Sequence, residues 1–312
     1  MTTDQPVEKL LTYVFEDDAP LPDAPFTLAD GLFLAPIPQF LLVKDTEWPL
    51  LEVNPRFSQF YEDHLHSTTL NIGYMGRADL NDEGVKSAEH DAYSKSNNYL
   101  LAAMIHAPYF LPPYACFSTI VSQQRVCNSK RMKDFGRLAS SNQMLAAGDF
   151  DVINQLYSAL AHAAPDGATG RIPTAVRYYQ QAFRKDVDWS IRFLSMMMAM
   201  EALLSHGASE ISHQVSERTA FLLRATAPDR EAVYDEMRKA YKLRSTIAHG
   251  GTTRQGQEEL ERSFQQLLLL LRESLLKVLT DAALRELFQS ANSNQFNKAM
   301  RNLVFRGRAE VD

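Results

Sequence analysis

Apolar positions along the chain follow two different rhythms. From about Lys130, and most clearly after Arg171, they recur every three or four residues with few prolines between them, the spacing of helices that lay one stripe on a core. Up to about Gln123 they come in short runs such as "GLFLAPI" and "FLLV", broken by prolines and turn residues, which predicts strands. The pattern divides the chain into an N-terminal mixed α/β domain of unknown role over 1–123, a helical connection over 124–170 and a helical bundle over 171–306. The fold class is mainly α.

The bundle helices can be delimited. "IPTAVRYYQQAFRK" is followed by helices over 189–206, "EISHQVSERTAFLLRAT", 229–249, and a long helix from near Gln257. That last helix carries the stripe Leu260, Phe264, Leu267, Leu271, Leu275 and Val278. Gly207 and the pair Gly250 and Gly251 stand where helices end, because glycine alone adopts the left-handed C-terminal turn without strain. Short connections make neighbouring helices antiparallel.

Composition narrows the setting. The 312 residues are 45% apolar, ordinary for a globular protein, and the net charge of −6 gives no global attraction to polyanions. A nucleic-acid partner would therefore need a local basic patch. The cysteines, Cys116 and Cys127, are too few for a disulfide framework or a cysteine zinc site, which suits a reducing cytoplasm. "MTTDQPVEKLL" lacks the pattern of a secretory signal. "WSIRFLSMMMAMEALLSHG" is interrupted by Arg192 and Glu201 and reads as a buried helix rather than a membrane span.

Charges then appear where leucine is expected. On the helix over 229–249 the stripe Val233, Met237, Tyr241 is continued by Arg244, roughly 60° to one side of Tyr241 at about 100° per residue. His249 falls about 80° to the other side and about 7.5 Å further along the axis, so both can border one cleft. Glu201 sits within the nearly all-apolar helix 189–206, and a buried carboxylate requires a partner. Arg244 is one candidate and Arg218, on the stripe Ile211, Val215, Leu222, is the other; together they suggest one polar cluster between helices. For Glu201 and Arg218 a structural ion-pair network is the simpler reading. A histidine before Gly-Gly can also be a plain helix C-cap, but its pairing with a misplaced arginine points to a site.

"LSMMMAMEALLS", "SERTAFLL" and "YKLRSTIAHGG", in that order and with those gaps, resemble the Apea-like branch of the HEPN superfamily. Its signature is an arginine, usually followed by a polar residue, with a histidine after four to six intervening positions at the end of one bundle helix; Arg244, Ser245 and His249 fit it. The resemblance is clearest over 171–279 and says little about the first ninety residues. Active members commonly carry Asn, Asp or His where this chain has Ser245. The resemblance implies a C-terminal HEPN helical bundle that cleaves RNA without a metal or cofactor, as a homodimer with two facing motifs. Arg244 and His249 would be the catalytic pair, leaving 2′,3′-cyclic phosphate and 5′-hydroxyl ends, with Glu201, Ser245 and Arg218 behind them. It further implies a role in antiphage defence or as a toxin, with a phage-derived component or an antitoxin as partner and no membrane. The alternative is a catalytically silent RNA- or nucleotide-binding or dimerisation module.

Two other stretches carry candidate chemistry. "QQRVCNSKRMKDFGR" concentrates Arg125, Lys130, Arg131 and Lys133, which read either as an RNA-backbone contact or as a solvated helix face. "DHLH", Asp63 to His66, offers two imidazoles without a visible third ligand and reads as ordinary surface, so no metal is expected. His90, His106, His162, His206 and His213 show no recognisable spacing.

Overall fold

The computed structural model describes residues 7–14, 26–27, 32–35, 71–78, 82–107, 115–121, 126–132, 147–165, 167–184, 187–207, 209–251, 256–290 and 293–306. They are mainly helical, and among them no helix is long and apolar enough to cross a membrane. The chain divides into two compact units, one drawn from 1–104, 109–137 and 141–157, the other from 105–108, 138–140 and 158–312.

The first unit contains strands β1 (Val7–Val14), β2 (Phe26–Thr27), β3 (Leu32–Ala35), β4 (Asn71–Ala78), β5 (Ala115–Val121) and β6 (Val126–Met132). They pair antiparallel in the order β2-β3-β4-β1-β5-β6, with Leu11 of β1 opposite Tyr74 on one side and Ser118 on the other. "GLFLAPI" contains β3, whereas "FLLV" and "DHLH" lie outside the described residues. Within 124–170, which the sequence pattern assigns to helix throughout, 126–132 is strand β6, and helix α2 runs Ala147–Ala163. "VCNSKRM" is too polar to advertise a strand; its β-branched and aromatic partner "ACFSTIV" supplies the ladder, so pairing overrides local propensity. Helix α1, Asp82–His106, completes the described elements ahead of the bundle, and Tyr99 through Ile105 near its end are buried.

The second unit is built from α3 (Arg171–Gln181), α4 (Trp189–Leu204), α5 (Ile211–Leu223), α6 (Ala227–Ala248), α7 (Gln257–Thr280), α8 (Ala282–Ser290) and α9 (Ser293–Arg306). Helix α4 touches α3, α5, α6 and α7, which explains why its sequence is apolar on most sides. Its Met196, Met197, Met200 and Leu203 are fully buried, and Asp188 caps its start by accepting the Ser190 N–H at 2.8 Å. Helix α6 starts from the N-cap Thr226, with Pro228 in the first turn, where its missing N–H costs nothing. The α7 stripe from Phe264 to Val278 is buried as its spacing requires.

Arginines close several of these helix ends. Arg171 Nη1 donates to Ser205 O at 2.6 Å and Arg218 Nη1 to Leu204 O at 2.7 Å, both at the end of α4. Arg192 Nε donates to Ala182 O just past α3 at 2.8 Å, Arg285 Nη1 to Leu279 O of α7 at 2.6 Å, and Arg272 Nε to Ile105 O of α1 at 2.8 Å. The last carbonyls of a helix have no partner inside it, and a guanidinium supplies several donors at once.

Candidate functional site

The end of α6 is shaped by its two glycines. The Gly250 N–H bonds Ile247 O at 3.0 Å and the Gly251 N–H bonds Thr246 O at 2.9 Å, the paired bonds of a Schellman motif. Gly250 has φ 68°, a left-handed conformation that a side chain would strain. A Cβ on Gly251 would meet Thr246 Cγ2 at 3.1 Å and the Thr246 carbonyl oxygen at 3.2 Å, so a side chain there would crowd the last turn. The motif leaves His249 as the C-cap, its own N–H bonded to Ser245 O at 3.2 Å and its side chain exposed. Among the described residues no side chain hydrogen-bonds the imidazole, so the ring is open to a ligand.

Arg244 sits one turn earlier, on the face of α6 that meets α4. Its Nε lies 3.1 Å from Glu201 Oε1. The N–H is not aligned on that oxygen, so the contact is an ion pair rather than a hydrogen bond. The Arg244 side chain is 36% exposed and that of Glu201 18%. Because Nε itself is buried, the exposure of Arg244 falls on its other atoms, and the carboxylate holds the guanidinium from its inner side. Tyr241, a turn before Arg244, places its buried hydroxyl beside the same carboxylate. Burial, then the Glu201 charge, pushes that phenol well above the ordinary tyrosine range, with the Arg244 charge opposing in part. Glu201, Tyr241 and Arg244 thus form one polar group under a solvent-facing cation.

Arg218 does not join this group, which corrects the expectation of a single cluster. It is buried, donates from Nη1 to Leu204 O and from Nη2 to Asn297 Oδ1 at 2.7 Å, and lies over the Phe296 ring at 5.7 Å. Removal from water lowers its pKa, the nearby Glu217 opposing. Arg171 lies over the same ring at 3.6 Å, so Phe296 packs against two cations that both clamp α4. Residue spacing does not reveal this because one acceptor is a main-chain oxygen, which no residue pattern displays, and the other is a side chain 79 positions further along the chain. Ser245 is exposed on α6.

Of the basic stretch, Lys130 and Arg131 are consecutive positions of strand β6, opposite Phe117 and Cys116, so this part of it is strand rather than a helix face. Arg125 and Lys133 lie outside the described residues. Among the described residues no group of three or more His, Cys, Asp or Glu side chains is placed to hold a metal ion. His213 Nδ1 instead meets Tyr234 Oη at 3.0 Å. No family model, no curated protein and no solved structure matches the chain.

Proposed function

We propose that the chain is a metal-independent endoribonuclease of the HEPN type, active as a homodimer, with Arg244 and His249 as its catalytic residues. The observation that carries this reading is the posture of Arg244. Among the described residues it bonds no helix carbonyl, is held from within by Glu201, and keeps the rest of its guanidinium toward solvent, where a phosphodiester can be gripped by paired donors. One exposed imidazole, on the residue that caps the helix about 7.5 Å further along the axis, offers a proton donor and acceptor.

The chemistry needs two such groups. One His249 removes the ribose 2′-hydroxyl proton as that oxygen attacks phosphorus; a second protonates the departing 5′-oxygen, and a 2′,3′-cyclic phosphate remains. Arg244 stabilises the charge gathering on the non-bridging oxygens. The second imidazole comes from the other copy of the chain. Support for that copy comes from Ile191 and Met198 on α4, 52% and 38% exposed. They lie about 20° apart around the helix, with Glu201 roughly 60° further round, so an apolar face borders the site. In this reading the protein works in the cytoplasm, and a mixed α/β domain formed by the first unit selects the RNA or senses a phage-derived component.

The test is incubation of the full-length protein with mixed cellular RNA in EDTA, beside Arg244→Ala and His249→Ala. Cleavage that resists chelation, leaves cyclic-phosphate ends and disappears in both folded variants supports the reading. RNA binding without cleavage favours a silent module, and cleavage unchanged in either variant refutes the assignment.

A further inference from the structure

A second site lies at the opposite end of α6. A cavity of about 460 Å³ opens where the end of α5, the start of α6, the last turns of α7 and Leu303 of α9 converge. That volume falls within the roughly 300–1,000 Å³ of small-molecule sites. Arg230 and Arg244 are separated by about 21 Å along the α6 axis, so this cavity shares nothing with the Arg244 and His249 pair.

Its lining has two chemical halves. Leu223, Leu276 and Leu303 form an apolar wall, and Arg224, Arg230 and Lys277 stand against the single carboxylate Glu273 among the described lining residues. That is a positive excess in a chain whose net charge is −6. Glu273 is already engaged, since its Oε2 accepts from Arg224 Nη1 at 2.7 Å. Arg230 is different. Its Nε donates to Arg224 O at 3.0 Å and its guanidinium lies over the Phe221 ring at 4.2 Å. These contacts fix the plane of the group, and among the described residues no carboxylate meets its terminal nitrogens. A planar fork held rigid with two nitrogens unengaged is the arrangement that binds a phosphate through paired hydrogen bonds. The apolar wall beside it accommodates a flat, weakly polar body.

We propose that this cavity binds a nucleoside phosphate, with the phosphate on Arg230 and the base against Leu223, Leu276 and Leu303. The same chemistry is offered by a free mononucleotide and by the phosphorylated end of an RNA strand. The inference does not depend on the ribonuclease reading, because it uses none of that site's residues.

The experiment is calorimetric titration of the full-length protein with AMP, GMP, CMP and UMP, with the matching nucleosides, and with a 5′-phosphorylated RNA hexamer. At least one mononucleotide, or the hexamer, binds with Kd below about 1 mM, and removing its phosphate weakens binding about tenfold or more. Arg230→Gln produces a similar loss, whereas the Arg244→Ala/His249→Ala double variant binds the mononucleotides as the parent does. Thr280→Trp, at an exposed lining position, blocks the cavity mouth and loses binding even if Arg230→Gln is poorly folded. Binding by the hexamer alone identifies a strand end as the occupant; binding by a mononucleotide identifies the free ligand. No binding by any phosphorylated probe, or binding unchanged in both Arg230→Gln and Thr280→Trp, overturns the proposal.

Discussion

Neutralising the carboxylate under Arg244 separates holding the arginine from holding the fold. Two unit charges about 4 Å apart attract by about 4 kcal/mol at an effective dielectric near 20, and by about 1 kcal/mol in bulk water. With side-chain exposures of 36% for Arg244 and 18% for Glu201, the pair stands between these limits and close to the wet one. Its net coupling should be about 1 kcal/mol. Glu201→Gln therefore lowers stability by about 1 kcal/mol, while Arg244→Ala costs about 2 kcal/mol because it leaves a mostly buried carboxylate beside Tyr241 without its cation. Urea denaturation of the parent, both single variants and the double variant, read as a double-mutant cycle, measures the coupling. In the cleavage assay Glu201→Gln should lower kcat about tenfold with KM nearly unchanged, because a guanidinium free to swing still meets the phosphate but no longer waits in position. Arg244→Lys should not restore the rate, since a point charge lacks the fork. A coupling below about 0.3 kcal/mol, indistinguishable from that of distant sites, would show that Glu201 does not hold the arginine.

Gly250→Ala puts a side chain at φ 68° and should cost about 1–2 kcal/mol, seen as a lower melting temperature, with Gly250→Asn milder because asparagine tolerates the left-handed region. Equal melting of parent and alanine variant would mean that the helix end opens freely. Tyr179 and Tyr241 both have pKa values raised chiefly by burial, so the folded state keeps protons that the unfolded chain releases near pH 10. Stability is then fully present below about pH 10 and falls as the pH rises from there toward the folded-state values. A pH titration of the phenolate absorbance alongside circular dichroism should show these two rings ionising only with loss of helix; ionisation near pH 10 in the folded protein would contradict their placement.

Helices α3 to α7 are legible in the sequence because of their apolar spacing, whereas α8 and α9, which follow the long helix from Gln257, are not separately delimited there. α6 reads as a helix from Val233, Met237 and Tyr241, and the pair Gly250 and Gly251 marks its end for the steric reasons found in the Schellman turn. The misplaced Arg244 is legible too, because a cation on an apolar stripe needs an acidic partner and α4 contains Glu201. Strand β6 was not legible: "VCNSKRM" becomes a strand through its neighbour β5, and pairing is a property of two segments. Helix α1 escaped a separate assignment because its first turns, "DEGVKSAEHD", carry no apolar stripe; its final two turns, from Tyr99 to Ile105, are buried. The cavity beside Arg230 was invisible for a further reason. Its wall is assembled from four helices, and its anchoring acceptor is the carbonyl of Arg224.

That carbonyl belongs to a general habit of this bundle, and the habit is what sets Arg244 apart. Arg171 and Arg218 clamp the end of α4, Arg192 the end of α3, Arg230 the residue after α5, Arg272 the end of α1 and Arg285 the end of α7. Each of these cations answers the same need: terminal carbonyls without partners, partly withdrawn from water, at the negative pole of a helix. Arg218, on an apolar stripe, is one of these helix clamps, and spacing alone cannot tell a clamp from a ligand-binding group. Arg244 is near the C-terminal end of its own helix, where clamping would be easiest, yet the Schellman turn of Gly250 and Gly251 already satisfies the carbonyls of Ile247 and Thr246. The guanidinium is released from that duty and is fixed instead by a carboxylate on α4. A cation freed from capping, braced on one side and wet on the other, is positioned to meet an anion from outside the chain.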